Sequence, residues 1–167
     1  MKTLLIYYSH FGHTYSVANA FQEALSKIGA VDNYELEYLS RRQGLLKRIF
    51  YRLYPALVTL APITLDLKDY DVLCLGIPVW GGRPSAPVTK YLQLCKNIEK
   101  KTIICFFVYG IEASAKACFN FVNKVLKRKG QAVIIPVYVP WDKAQNKEFL
   151  SKTISATLEK ISPVPPG

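Results

Sequence analysis

Continuous apolar runs alternate with segments of helical periodicity along most of the chain. Such runs are typical of strands that are buried on both faces of a parallel sheet. They predict strands at Thr3–Tyr8, Tyr70–Gly76, Thr102–Val108 and Gln131–Val139. Between Tyr34 and Leu39 charged and apolar residues alternate instead, and this pattern predicts an edge strand with one face in water.

The segments between the strands carry apolar residues at the spacing of an amphipathic helix. The four clearest stripes are Val17, Phe21, Leu25 and Ile28; Val88, Leu92 and Cys95; Cys118, Phe121, Val122, Val125 and Leu126; and Leu150, Ile154, Leu158 and Ile161. We expect Thr14, Ser85 and Asp142 to be N-caps of the first, second and fourth helices. Gly29 and Gly130 are expected to end the first and third.

The segment from Ser40 to Leu65 combines an apolar stripe with positive charge. The stripe comprises Leu45, Leu46, Ile49, Phe50 and Leu53, and the cations are Arg41, Arg42, Lys47, Arg48 and Arg52, with no acid among them. One interpretation is an ordinary helix whose stripe docks on the sheet. The other is a weak membrane-surface contact through Arg41–Arg52.

Five strands alternating with helices predict an α/β fold with a parallel sheet, helices on both faces and right-handed crossovers. The 167 residues suffice for one well-filled core, and no repeat or linker divides them. We therefore expect a single domain over residues 1–162 and a tail over residues 163–167.

Charge and cysteine content narrow the expected environment and partners. The 22 Lys and Arg against 12 Asp and Glu give a net charge of +10, which favours negatively charged partners or provides a solubilising surface. The four cysteines show no Cys-x-x-Cys spacing, which indicates buried, reduced thiols. With no signal-peptide pattern and no uncharged span of membrane length, we expect a cytoplasmic protein.

The segment Ser9–Thr14 follows the first apolar strand directly and precedes the first helix. A turn of this kind exposes several backbone N–H groups at a helix N-terminus, where a phosphate binds well. Ser9 and Thr14 could add hydroxyl donors, and Gly12 permits a positive φ or a close approach of the backbone. The loop by itself does not indicate which phosphate.

A second unusual stretch, Ile77–Pro84, follows the third strand. Open α/β sheets bind ligands beyond the carboxyl ends of their strands, where the strand order reverses. For the order 2-1-3-4-5, that point lies between the first and third strands. We therefore expect Ile77–Pro84 to lie beside Ser9–Thr14.

The segments Tyr7–Thr14 and Gly76–Pro87 together resemble the flavodoxin family of FMN proteins. The family's phosphate loop usually reads Ser/Thr-x-Thr-Gly-x-Thr. Ser9, Gly12 and Thr14 match it, whereas Phe11 replaces the second hydroxyl residue. The resemblance implies a flavodoxin-like three-layer sandwich, with a five-stranded parallel sheet of order 2-1-3-4-5, and FMN as the cofactor.

The resemblance also implies a set of cofactor-binding residues. They are Ser9, His10, Phe11, Gly12, His13 and Thr14 at the phosphate, and Pro78, Val79, Trp80, Gly81, Gly82, Tyr109 and Gly110 near the flavin ring. Arg83 is expected either at the pyrimidine edge or only at the rim. His10 and His13 either add charge beside the phosphate or are plain loop residues. No cluster of Cys or acidic residues lies at metal-ligand spacing from either of them in the sequence.

The function implied is electron transfer or oxidoreduction through bound flavin. No nucleophile–base or carboxylate pair stands out, so the redox chemistry would belong to the cofactor. Two alternatives stay open: an NAD(P)H-dependent quinone or flavin reductase, and a flavin-free binding module, which Phe11 favours. Well-known electron-carrier flavodoxins are acidic, and this chain is basic. Expected partners are a redox protein or a small acceptor such as a quinone, and no nucleic-acid-binding module is present.

Overall fold

The computed structural model describes residues 1–37 and 58–161. Its strands are β1 (Lys2–Tyr7), β2 (Ala30–Glu35), β3 (Val72–Trp80), β4 (Arg83–Pro84), β5 (Thr102–Tyr109) and β6 (Val133–Pro140). Its α-helices are α1 (His13–Leu25), α2 (Ala86–Leu94), α3 (Glu112–Lys127) and α4 (Lys147–Leu158). A short 3₁₀-helix, Trp141–Lys143, follows β6. The predicted helical stripe between Leu45 and Leu53 and the tail over 163–167 lie outside the described residues.

Five strands form a parallel sheet in the order β2-β1-β3-β5-β6. The predicted order 2-1-3-4-5 is confirmed, since the two-residue β4 pairs only with β3, as an antiparallel hairpin partner. In register, Tyr7 of β1 lies opposite Gly76 of β3, and Gly76 lies opposite Phe106 of β5. The ends of β1, β3 and β5 consequently meet at one edge, which we call the carboxyl edge.

Helices cover both faces of the sheet, as predicted. On one face α1 and α4 pack through Val17, Phe21, Leu150 and Ile154. On the other face α2 and α3 contribute Val88, Leu92, Cys118 and Val122. The fold is therefore the flavodoxin-like α/β sandwich of three layers.

The predicted second strand, Tyr34–Leu39, is placed too far toward the C-terminus, because β2 spans Ala30–Glu35. Its two central polar residues have partners outside the strand. Asp32 accepts a hydrogen bond from the Tyr70 hydroxyl at 2.7 Å and pairs with Lys2 at 3.3 Å, while Asn33 bonds to Gln22 of α1. These tertiary contacts, which local alternation does not reveal, let a polar segment form the edge strand.

The third strand continues past its predicted end at Gly76 and runs to Trp80. Much of the predicted loop Ile77–Pro84 is therefore strand, and only Gly81 and Gly82 form the turn into β4, both with positive φ. Tyr8 N–H donates to Gly76 O, and the next bond of that ladder would need an N–H on residue 78. Pro78 has none, so pairing with β1 stops while pairing with β5 continues.

Four helix boundaries differ from the predictions, one of them the end of α3 at Lys127, three residues before Gly130. Gly12, not Thr14, is the N-cap of α1, and the helix ends at Leu25, four residues before Gly29. Asp142 lies in the 3₁₀-helix, and Asn146 caps α4. Ser85 does hold the N-cap position of α2, but its hydroxyl makes no capping bond there.

The cap of α4 gives a direct stability test. The Asn146 side-chain oxygen accepts a hydrogen bond from Phe149 N–H at 2.9 Å. Replacing Asn146 with alanine leaves this N–H without its partner and is expected to lower the free energy of unfolding by about 1 kcal/mol. Urea denaturation followed by circular dichroism measures the change. Asn146→Asp, which keeps the acceptor, is the control and should stay near the parent.

The cysteines are buried and free, as predicted. Burial raises the pKa of the Cys95 thiol to about 11 and that of Cys118 to about 12. Both thiols are therefore kept protonated. Among the helices of the described ranges, none combines the length and hydropathy needed to span a bilayer.

Candidate functional site

A cavity of about 430 Å³ opens at the carboxyl edge of the sheet. It is bounded by the β1–α1 loop, the end of β3, the end of β5 and the start of the 3₁₀-helix. Its lining is largely apolar and aromatic, with a few polar groups, which is the usual make-up of a small-molecule site. The lining residues are His10, Phe11, His13, Thr14, Pro78, Val79, Trp80, Val108, Tyr109, Gly110 and Trp141.

The N-terminus of α1 forms one end of the cavity. Gly12 adopts φ 85°, a conformation that costs a side-chain-bearing residue about 1–2 kcal/mol, and so turns the chain into the helix. The Ser9 hydroxyl, which precedes the turn, accepts a hydrogen bond from Tyr15 N–H at 3.2 Å. Ser9 thus does the capping that Gly12 cannot do.

This arrangement leaves the first-turn amides of α1 suited to an anion. His13 and Thr14 are the first two residues of the helix, where N–H groups have no acceptor within the helix. The first turn carries no acidic residue. With the helix dipole positive at this end, the site favours a ligand phosphate.

His13 brings a further polar atom to the cavity wall. Its Nδ1 is buried and has no hydrogen-bond partner within the described part of the chain. The ring meets Trp141 edge-on, with centroids 5.5 Å apart. An unpaired polar atom in this position is costly unless a ligand or water bonds to it.

Aromatic rings form another part of the cavity wall. Trp80 ends β3 and packs edge-on against Tyr8 at 6.1 Å and His10 at 6.0 Å. Tyr109 ends β5, and burial, with Glu112 and Asp142 nearby, raises the pKa of its hydroxyl. At neutral pH Tyr109 is a neutral hydrogen-bonding group on a largely apolar wall.

The structure gathers most of the residues expected at the site, although not all of them line the cavity. His10, Phe11, His13, Thr14, Pro78, Val79, Trp80, Tyr109 and Gly110 do so. Ser9 is buried behind the loop, where it binds Tyr15 N–H. Gly12 is the helix cap, and Gly81 and Gly82 form the hairpin turn beside Ala117 of α3. These four residues shape the loops and do not form the cavity wall.

Two lining residues, Val108 and Trp141, are absent from the sequence-based expectation. Trp141 directly follows β6 and lies close to Gly110. The same rule that selected the loops after the first and third strands, extended to the end of the fifth parallel strand, would have identified it.

Arg83 does not line the cavity. Its guanidinium lies over the ring of Phe121 on α3, with 4.6 Å between them, and the side chain is exposed. Of the two expected positions, the pyrimidine edge and the rim, this geometry favours the rim.

No family model and no curated protein matches the sequence. Solved structures do match, among them three that cover nearly the whole chain. They are oxidised flavodoxin 2 from Bacillus cereus (19% identity, 96% of this chain and 100% of that one, TM-score 0.59), an NADH:FMN oxidoreductase in its apo form (12%, 99% and 92%, 0.63) and the NAD(P)H:quinone oxidoreductase from Methanothermobacter marburgensis (14%, 100% and 99%, 0.58). At these identities the likeness establishes the flavodoxin-like fold.

Proposed function

We propose that this flavodoxin-like chain binds FMN in the carboxyl-edge cavity and transfers electrons through the bound flavin. The observation that carries the proposal is that the N-terminus of α1 and the aromatic end of β3 line one cavity. One end suits a phosphate and the other suits a flat apolar ring. The proteins of similar fold that are named for flavodoxin and for NADH:FMN oxidoreduction support the same cofactor.

The phosphate would be held mainly by the backbone. The N–H groups of His13 and Thr14 are the donors, and the buried Nδ1 of His13 would gain the partner that it lacks. Gly12 leaves the approach open, since a Cβ added there would meet no atom within 4 Å. The residues present therefore fit a phosphate monoester.

The isoalloxazine ring would lie among Trp80, Tyr109 and Trp141. Bound FMN supplies the redox chemistry by accepting and releasing electrons. The aromatic side chains orient the ring by offset stacking or edge contacts and keep water from it. The neutral Tyr109 hydroxyl can bond to a polar edge of the flavin without bringing charge to it.

The two tryptophans provide a built-in reporter for this site. Trp80 and Trp141 are the only tryptophans in the chain, and both line the cavity. Titrating the purified protein with FMN is expected to quench most of the tryptophan emission and to give a saturating, stoichiometric curve. The single variants Trp80→Phe and Trp141→Phe should each keep part of the quenching.

A matched pair of ligands and an absorbance spectrum complete the test. When FMN binds, its visible absorbance bands should shift. AMP at the same concentration should not quench the tryptophan emission. The proposal would be contradicted if the tryptophan emission stayed unchanged at FMN concentrations well above those at which a protein binds its cofactor. That result would favour the flavin-free binding module.

A second candidate is an NAD(P)H-dependent reductase of quinones or flavins. It is supported by the mouth of the cavity, where Phe11 and Trp141 are exposed by 76% and 54% and offer flat apolar surface to a second planar molecule. The chain's positive charge also suits an anionic dinucleotide. Rapid bleaching of the bound flavin by NADPH, with reoxidation by a quinone, distinguishes this enzyme from a carrier that needs a reductase partner.

A further inference from the structure

The edge of the sheet opposite the cavity carries a concentration of positive charge. Chain segments that precede the strands or return from the helices meet there. We call this surface the basic edge and define it by Lys68, Lys96, Lys100, Lys101, Lys127, Arg128 and Lys129. All but Lys101 and Lys129 are exposed.

Hydrogen bonds show that these segments form one continuous surface. Lys129 Nζ, after α3, donates to Cys95 O at 2.8 Å and to Gln93 O at 2.9 Å, at the end of α2. Lys101 Nζ reaches Lys68 O, ahead of β3, at 3.3 Å. The cations therefore come from three chain segments that are tied together.

The acids among these cations are fewer, and Asp66 and Asp71 accept hydrogen bonds. Asp66 accepts hydrogen bonds from Asn97 Nδ2 at 2.6 Å and from Lys68 N–H at 2.9 Å. The side chain of Glu99 packs directly over Gly130. With Asp69 and Asp71 as the third and fourth acids, seven cations face four carboxylates, so the surface attracts anions.

The apolar residues within the basic edge indicate the kind of anion. Leu94 is exposed by 38% and Val133 by 62%, and Val133 N–H donates to Lys101 O. Phe11, Tyr15, Tyr34 and Trp141, the exposed large aromatic residues of the described ranges, are absent from this surface. Aliphatic groups among lysines suit lipid headgroups and acyl boundaries, whereas single-stranded nucleic acid is usually gripped by aromatic stacking.

We propose that the basic edge docks the protein on an anionic lipid surface. None of the residues that define this surface belongs to Arg41–Arg52, a segment outside the described residues. The eight residues of β5 separate the basic edge from the carboxyl edge by roughly 25 Å. A protein docked in this way presents its cavity to the aqueous side, where water-soluble partners reach it.

The test is co-sedimentation of the full-length protein with phosphatidylcholine vesicles in which the phosphatidylglycerol content is raised from none to about 40%. Binding should require the anionic lipid and should be released by about 0.5 M NaCl, since that salt screens surface charge. The triple variant Lys96→Gln, Lys127→Gln and Arg128→Gln should bind about a hundredfold more weakly, because each basic residue near such a surface contributes about fivefold.

The matched control removes the same charge elsewhere. Lys143, Lys147 and Lys152 lie in or near α4 and away from the basic edge. Their triple change to glutamine should weaken vesicle binding less than about fivefold if the basic edge is the contact. Circular dichroism of both triples, and tryptophan quenching by FMN, establish that the fold and the cavity are retained.

Three outcomes would overturn the proposal. Vesicle binding that does not depend on anionic lipid would show that charge does not drive it. Equal losses of vesicle binding in the two triple variants would show that the overall positive charge of the protein, and not the basic edge, attracts it to the vesicles. Tighter binding to a short oligonucleotide than to vesicles, lost in the first triple, would assign the same surface to nucleic acid instead.

Discussion

Replacing Gly76 with alanine is expected to lower the free energy of unfolding by about 3 kcal/mol. Gly76 lies in the middle of β3, between β1 and β5, and is buried. A Cβ at this position would overlap the ring of Phe106 and crowd the Cβ of Tyr7. Phe106 cannot move freely, because it stacks on Phe21 of α1 with ring centroids 5.0 Å apart, and the Cβ of Tyr7 is held by the backbone of β1.

Gly76→Ala should disturb the cavity as well as lower the free energy of unfolding. Phe21 anchors the helix whose N-terminus forms the proposed phosphate site, so a displaced Phe106 shifts α1 relative to β3. Urea denaturation measures the loss, and FMN titration of the folded fraction measures the weakened site.

The matched control for Gly76 is Gly110→Ala. A Cβ on Gly110 would meet the Trp141 ring at 3.5 Å, an ordinary contact. The free energy of unfolding of the Gly110→Ala variant should differ from that of the parent by less than about 1 kcal/mol. Similar losses for the two glycine variants would show that space at Gly76 is not what limits substitution.

Removing the phosphate from the ligand is expected to weaken binding by at least about a hundredfold. The comparison is FMN against riboflavin, which share the isoalloxazine ring. Two backbone donors at the start of α1, from His13 and Thr14, would each bond to a charged oxygen, and such bonds contribute about 1.5–3 kcal/mol apiece. Tryptophan quenching measures both dissociation constants.

Phe11 allows this preference to be tuned. Its side chain is 76% exposed, so its replacement should cost little stability. Phe11→Thr supplies the hydroxyl that the flavodoxin family usually has at this position, and Phe11→Val has the same shape without it. We expect Phe11→Thr to bind FMN about tenfold more tightly than Phe11→Val, with equal riboflavin affinities. Equal FMN affinities would place the phosphate away from this loop.

Much of the architecture follows from local sequence. The apolar runs of β1, β3, β5 and β6 predicted parallel strands, because strands covered on both faces need apolar side chains in succession. The strand order implied by the resemblance to the flavodoxin family then placed Ser9–Thr14 beside the end of β3, and residues of both segments line the cavity.

Other features depend on contacts between distant residues. The placement of β2 relies on partners of Asp32 and Asn33 from other elements, and local alternation predicted it too late. The N-cap of α1 is Gly12 because the Ser9 hydroxyl reaches Tyr15 N–H across the turn. Such contacts leave no periodic signal in the sequence.

The amino-acid sequence by itself determined the class of fold, whereas the order of the strands, and with it the two loops that face each other, was implied by the resemblance of Tyr7–Thr14 and Gly76–Pro87 to the flavodoxin family. Only the tertiary structure decided which side chains enclose the cavity, adding Val108 and Trp141 and setting Ser9, Gly12, Gly81 and Gly82 behind it or beside it. The physical reason is that hydrophobic periodicity records which face of an element is buried, whereas a cavity depends on how several elements end at the same place.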